Sequence, residues 1–306
     1  MEKATYKCSV LSTLMSYGNT KQPEIRASEI KALMRYVFRI SSVNLGSKCL
    51  FKKESEWFGD ANTHASPIRL QIIKDTEEEK TLIKEKKLLH KEYNSAKCLS
   101  DKTTFELIVR KRSYKTAENV SLKDYTDLLR FATYIGGIGQ RNRRGRGSIM
   151  LDECLCENKE KLLEFCLNIL NKLSGNCFKK QDCEITCKGQ SVDESRPTIE
   201  KIIVGKVIKK DEMKDFLTMV DLASHKAVKG ISYGTIAATG YGARRLASSL
   251  LISVVETKDG CIYPVYVFVT PITAEIDNRQ DFLDWINTFR DNREVFLKCL
   301  KEKGYA

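Results

Sequence analysis

Between Gly136 and Gly147, five glycines (Gly136, Gly137, Gly139, Gly145, Gly147) and four arginines (Arg141, Arg143, Arg144, Arg146) fall within twelve residues. Glycine permits positive φ and lets a backbone come close to a ligand. Guanidinium groups supply planar forks of donors that match phosphate oxygens two at a time. The stretch therefore reads as an anion cradle, with the amides of Gly136, Gly137 and Gly139 placed to join the arginines. It is not a familiar nucleotide loop. Counting GxGxxG from Gly137 puts Asn142 at the last glycine, and the close Gly145-Arg146-Gly147-Ser148 lacks the lysine of a P-loop. Four arginines suit a ligand with several phosphates rather than one nucleotide.

Other chemistry is sparse. The three histidines are His64, His90 and His225. Only His64, in a loop before Ser66-Pro67, has the setting for a ribonuclease general base. Cys177, Cys183 and Cys187 are spaced C-x5-C-x3-C, and Cys154 with Cys156 forms a C-x-C pair. Structural zinc favours cysteine pairs two to four residues apart, so no metal and no cofactor is expected. No serine–histidine–acid set appears, and the chain is read as a binding protein rather than an enzyme.

The elements that must position the arginines follow from periodicity. Thr5–Thr13 reads as a strand, and Ser28 as the N-cap of a helix with Ile30, Leu33, Met34, Val37 and Phe38 on one face. Arg26 stands at its entrance, and Lys31, Arg35 and Arg39, four apart, form a basic stripe beside that face. Residues 41–66 look irregular. Ile68–Ile73 and Phe105–Arg112 read as strands, with a charged excursion over 74–91 between them. Ser121 caps a helix that runs into the glycine–arginine loop, and Ser148–Leu151 is a short strand. This βαββαβ order is ferredoxin-like, the architecture of common RNA-binding modules. After residue 151 the pattern restarts: a helix over Asn158–Leu173, a polar connection over Cys177–Ser195, a strand over Pro197–Val204 and a helix over Asp211–Lys226. A second glycine-rich stretch, Gly230–Gly242, runs into Arg244 and Arg245. A hairpin around Asp259-Gly260 and a closing helix over Asp281–Lys301 complete it. The fold class is thus α+β, two tandem ferredoxin-like (RRM-like) domains, residues 1–151 and 152–306.

Charge agrees with that division. The net charge is +12, and residues 1–150 hold 29 Lys/Arg against 17 Asp/Glu, while residues 151–306 hold 23 of each. A basic half joined to a neutral half predicts one polyanion-facing domain and one docking domain. No apolar run approaches the roughly 18 residues of a membrane span. Eleven cysteines without a signal-peptide apolar region predict reduced thiols and a cytoplasmic protein.

Four segments carry a resemblance. Glu24–Arg35, EIRASEIKALMR, resembles the motif that opens RAMP-superfamily proteins, and Trp57-Phe58-Gly59 followed by Ser66-Pro67 is similar to their FG…SP element. The loop Gly136–Ser148 resembles the GGLGxRxRRGxGS loop of one branch, the first-numbered RAMP subunits of type III-B (Cmr) CRISPR effector complexes. Gly242–Ser249, GARRLASS, is similar to that branch's GRLASP segment. Ala32 and Ser249 stand where the family has glycine and proline. The resemblance implies two fused RAMP domains, a place near the 3′ end of the CRISPR RNA (crRNA), and a role in antiviral target-RNA capture. The implied partners are crRNA, target RNA and other RAMP subunits of the Cmr complex, and target cleavage falls to another subunit. The residues expected at RNA are Arg26, Lys31, Arg35 and Arg39 on one wall of a groove and Arg141, Arg143, Arg144 and Arg146 on the other. Gly136, Gly137 and Gly139 lie between the walls, and Arg244 and Arg245 are secondary contacts. Tyr17, Trp57 and Tyr134 are candidates for base stacking. The rival readings are a crRNA-processing endoribonuclease using His64 and a purely structural subunit.

Overall fold

Apolar Cys8 and Val10 alternate with Lys7 and Ser9, which makes β1 (Glu2–Val10) a half-buried strand. The computed structural model describes residues 2–18, 22–62, 65–74, 81–89, 91, 94–112, 119–189, 193, 195–229, 235–239, 247–271 and 288–306. After β1 come α1 (Ala27–Ser41), α2 (Ser47–Phe58), β2 (Ile68–Lys74), β3 (Leu82–Lys86), β4 (Ser95–Leu99), β5 (Thr104–Lys111), α3 (Leu122–Ile135) and β6 (Ile149–Leu151). The first sheet runs β2-β5-β1-β6 with every pair antiparallel. β3 and β4 pair as a separate hairpin.

The second half adds α4 (Lys159–Ser174), β7 (Phe178–Gln181), β8 (Glu184–Cys187), β9 (Ile199–Val204), α5 (Met213–Val228) and β10 (Thr235–Ala237). β11 (Leu250–Glu256), β12 (Ile262–Val269), β13 (Thr288–Arg290) and α6 (Arg293–Lys301) follow. Its five strands lie in the order β11-β12-β9-β8-β7, again antiparallel throughout, and β10 pairs with β13 in parallel.

Local signals explain the helices that flank the loop. In α1, Ile30, Leu33, Met34, Val37 and Phe38 are buried at the three-four spacing of one face. Ser121 starts α3 through a reciprocal box: its Oγ accepts from the Asp124 amide (3.1 Å) and its own amide donates to the Asp124 carboxylate (2.7 Å). Asn158 caps α4 in the same sense, accepting from the Lys161 amide at 3.1 Å.

The layers share one core. Inner residues of the first sheet (Cys8, Val10, Phe105, Leu107, Val109) pack with α1, α3 and α4 and with Ile202, Val265 and Val267 of the second sheet. The far face of the second sheet, including Ile252, Tyr266 and Phe268, packs against Phe216 and Val220 of α5 and Phe296 and Leu300 of α6. Strand β12 is consequently buried along its whole length.

Several expectations are corrected. The residue at the N-cap position of α1 is Arg26, with extended backbone and no side-chain cap, and Ser28 lies inside the helix. Residues 41–66 contain the helix α2, and the polar connection over 177–195 contains the β7–β8 hairpin. The closing helix begins at Arg293, with 281–287 outside the described residues. In the second sheet β9's outer neighbour, β8, precedes it in the chain, so the strand order is not a copy of the first.

Candidate nucleic-acid interface

The glycine–arginine loop is held as two strands of backbone lying against each other. The Ile138 amide donates to Gly147 O (3.0 Å), the Gly147 amide to Thr13 O (3.0 Å) and the Gln140 amide to Met15 O (2.8 Å). Glycine is required at this approach. A Cβ on Gly147, whose φ is +68°, would lie 1.9 Å from Ile138 O, and one on Gly137 would lie 2.7 Å from Arg146 O. Arg141 also takes a left-handed φ of 60°, a strained choice for a residue with a side chain.

Between this loop and α1 lies a cleft of about 430 Å³. Its walls are Arg26, Glu29, Ala32, Leu33 and Tyr36 of α1, the backbone at Gly136, Gly137 and Gly139, Gln140, Asn142 and Arg143 of the loop, and Tyr17. The volume falls in the range of small-ligand pockets, about 300–1,000 Å³. Its charges are arranged by their neighbours. The Glu29 carboxylate accepts from Ser16 Oγ and the Arg26 guanidinium. The Arg143 guanidinium sits over the Tyr36 ring at 5.0 Å and donates to Ser248 O. Burial pushes the Tyr36 hydroxyl pKa up, and the adjoining Arg143 charge draws it partly back. Glu29 is the single acid among the described residues that line the cleft, and none of them is histidine or cysteine.

The other loop arginines turn away from the cleft. Arg146 is fully buried and its Nη2 lies 3.0 Å from the Asp221 carboxylate of α5. Arg141 pairs with the other Asp221 oxygen at 2.7 Å, and the Leu89 amide, from the turn after β3, donates to the same carboxylate at 2.9 Å. Burial alone would raise the Asp221 pKa, but the hydrogen bond and charge of Arg146, with Arg141, hold it below the usual aspartate value. Arg144 is buried without a carboxylate of its own. It donates to Thr239 O (2.7 Å) and Ser248 Oγ (2.9 Å) and lies over the Phe296 ring at 5.2 Å. Burial, then Arg141, lowers its pKa to about 10, with Asp221 opposing, so it remains cationic at neutral pH.

The groove with two arginine walls is therefore corrected. Arg26, Arg143, Gly136, Gly137 and Gly139 come together at the cleft. Arg144 and Arg146 face protein, because the second half supplies carbonyls, a hydroxyl and a carboxylate that desolvated guanidinium groups need. Lys31, Arg35 and Arg39 of α1 do not line the cleft. Lys31 donates to Ser66 Oγ and Ile68 O, and Arg35 and Arg39 bond the Glu54 carboxylate of α2. Trp57 and Tyr134 are core aromatics, 8% and 2% exposed, which leaves Tyr17 at the cleft rim. Arg244, Arg245, His64 and His90 lie outside the described residues. Among the described residues no cluster of three His, Cys, Asp or Glu is arranged to hold a metal ion.

Two decisive residues were not read from the sequence, Asp221 and Glu54. Asp221 had a signal: it interrupts the apolar face made by Phe216, Leu217, Val220 and Ala223. Nor does the sequence signal that Ser248 meets the loop, yet it bonds both Arg143 and Arg144. The departure at Ser249 is also explained locally, because its amide donates to Ala238 O at 2.8 Å, a bond that proline lacks.

Residues 13–150 match the family described as the RAMP superfamily. No curated protein matches the sequence. Among solved structures, the chain is similar to one in type III-B Cmr-beta bound to cognate target RNA, at 13% identity and a TM-score of 0.54, covering 97% of this chain and 99% of that one. It is also similar to a chain of type III-B Cmr-beta bound to cognate target RNA and AMPPnP in the presence of ssDNA, at 12% identity and a TM-score of 0.53, covering 98% of each. At such identities the likeness is one of fold, a mixed α+β architecture on antiparallel sheets. No helix among the described residues is long and apolar enough to cross a membrane.

Proposed function

We propose that this chain is an RNA-binding, non-catalytic RAMP subunit of a type III-B (Cmr) CRISPR ribonucleoprotein, the first-numbered one. In this reading it sits at the 3′ end of crRNA, helps to capture target RNA in antiviral defence, docks on other RAMP subunits and works in the cytoplasm. The family match over residues 13–150 and the fold-wide likeness to Cmr-beta chains support the setting. The strand order β2-β5-β1-β6 supports a ferredoxin-like first unit. In the second half, β9, α5 and β11 with β12 between the two strands repeat the split βαβ half of that unit.

The observation that carries the reading is the cleft. There a cation at a helix entrance (Arg26), a cation anchored on the second half (Arg143) and a close-packed glycine backbone surround one space. Such a space suits a phosphate group with an adjoining ribose or base, and it holds a lone carboxylate rather than the paired groups of an acid–base ribonuclease. The test is binding of a labelled single-stranded RNA across a salt series by wild type and by Arg26→Ala/Arg143→Ala. The variant is expected to bind more weakly, with its log–log salt slope shallower by about 0.7 for each phosphate contact removed. Equal binding by the two proteins overturns the assignment of the cleft, and RNA cleavage by the purified wild type overturns the non-catalytic role.

A further inference from the structure

The outer face of the first sheet carries a charge pattern that the cleft does not use. Inner residues of β1, β5 and β2 (Cys8, Phe105, Leu107, Val109, Ile68) belong to the core, so the alternate residues point away from it. On that outer face the strand registers place Lys3 opposite Arg110 and Arg110 opposite Arg69, three cations in one row across three strands. The next row is Thr5, Ile108 and Gln71, which are neutral, and the nearest acid on the face, Glu106, comes one row further, opposite Lys7. Lys3 and Arg69 are exposed, and none of the three cations is in an ion pair with a described residue. Among the described residues their charged groups make one side-chain hydrogen bond, from Arg110 to the neutral Gln71 amide oxygen.

Like charges directly opposite in a sheet are destabilising. A row of three with no carboxylate against it among the described residues is thus a cost that an external anion would relieve. The kind of anion follows from what the face lacks. Among the described residues it shows no aromatic side chain for base stacking, and its most exposed apolar residue is Ile73, 43% exposed. A protein interface would be built around a buried apolar centre. Adjacent strands lie about 4.8 Å apart, so the row spans about 10 Å, long enough to meet consecutive phosphates of one strand.

We propose that the Lys3–Arg110–Arg69 row on the outer face of the first sheet is a second RNA contact, a sequence-indifferent track for the phosphate backbone separate from the cleft. This inference rests on the reading of the chain as an RNA-binding protein. It is tested with Lys3→Gln/Arg69→Gln/Arg110→Gln, compared with wild type for binding to a labelled oligouridylate over a salt series, with a poly-glutamate chain as competitor. The expected result is weaker binding with a log–log slope shallower by about 2, as three contacts at about 0.7 each require. The RNA-free variant is also expected to melt at a higher temperature than wild type, since the repulsion is gone. Wild-type slope and affinity in the triple variant overturn the track and leave the cleft reading standing. A wild-type protein that binds no RNA overturns both. Poly-glutamate that fails to displace RNA from wild type at matched charge, and binds the variant no less well than wild type, supports the phosphate track. If poly-glutamate binding is lost in the variant while RNA binding is kept, the row belongs to an acidic protein instead.

Discussion

Asp221 shows how one buried carboxylate organises the loop. Its two oxygens take Arg141 and Arg146 from the glycine–arginine stretch, and it also accepts the Leu89 amide. Removing one partner of a buried pair strands the other charge, so Asp221→Asn is expected to lose about 3–5 kcal/mol in urea unfolding at pH 7. The pH dependence has a definite sign. The folded pKa is depressed, so the carboxylate's contribution is complete above the unfolded aspartate value of about 3.9 and is lost as pH falls through the folded value. The gap between wild type and Asp221→Asn should therefore narrow on going from pH 7 to pH 3, and a constant gap would refute the electrostatic account. The arginines of the loop were legible in the sequence as donors. Their division was not, because the groups that claim Arg144 and Arg146 lie some 75 to 106 residues away along the chain.

At the scale of the element, α1 has the wrong residue at its start for stability. A helix N-terminus favours Ser, Asn or Asp at the cap and negative charge nearby, yet the cap position holds Arg26, which offers no side-chain cap. Its compensation is the first-turn Glu29. Arg26→Asn is expected to gain about 0.5–1 kcal/mol from the cap, less a few tenths for the lost pair, and so to raise the thermal midpoint slightly while weakening RNA binding. A variant that gains stability without losing affinity would take Arg26 out of the binding site. Helices α1, α3 and α4 were legible because each has an uninterrupted apolar face, and α3 and α4 also have good caps. Helix α2 was not. Its inward face includes Glu54, which is buried only because Arg35 and Arg39 of α1 meet it, and its apolar Phe51 is left 64% exposed. The β7–β8 hairpin was hidden in the same way, since four-residue strands with charged residues give too short an alternation.

For the molecule as a whole, the fall in net charge from the first half to the second suggests two separate bodies, but the packing argues for one cooperative unit. Leu33, Leu128 and Leu162 from three helices share a core with Leu251, Val255 and Val265 of the second sheet. Arg144 and Arg146 cross in the same direction, and their partners Thr239, Ser248 and Asp221 all belong to the second half. The Gly145 amide adds a backbone bond to Ile252 O of β11 at 2.9 Å. Cutting the chain near residue 151 would expose that apolar surface and leave two arginines buried or dragged into water with nothing to bond. Residues 1–151 made alone should accordingly lack a cooperative thermal transition. The intact chain should give one calorimetric peak whose van 't Hoff enthalpy equals its calorimetric enthalpy, although its length is beyond the range where such behaviour is usual. Two resolved peaks, or a fragment 1–151 that melts cooperatively, would restore the picture of independent domains. The loop would then have to be held from its own half, and Asp221→Asn would leave the first transition unmoved.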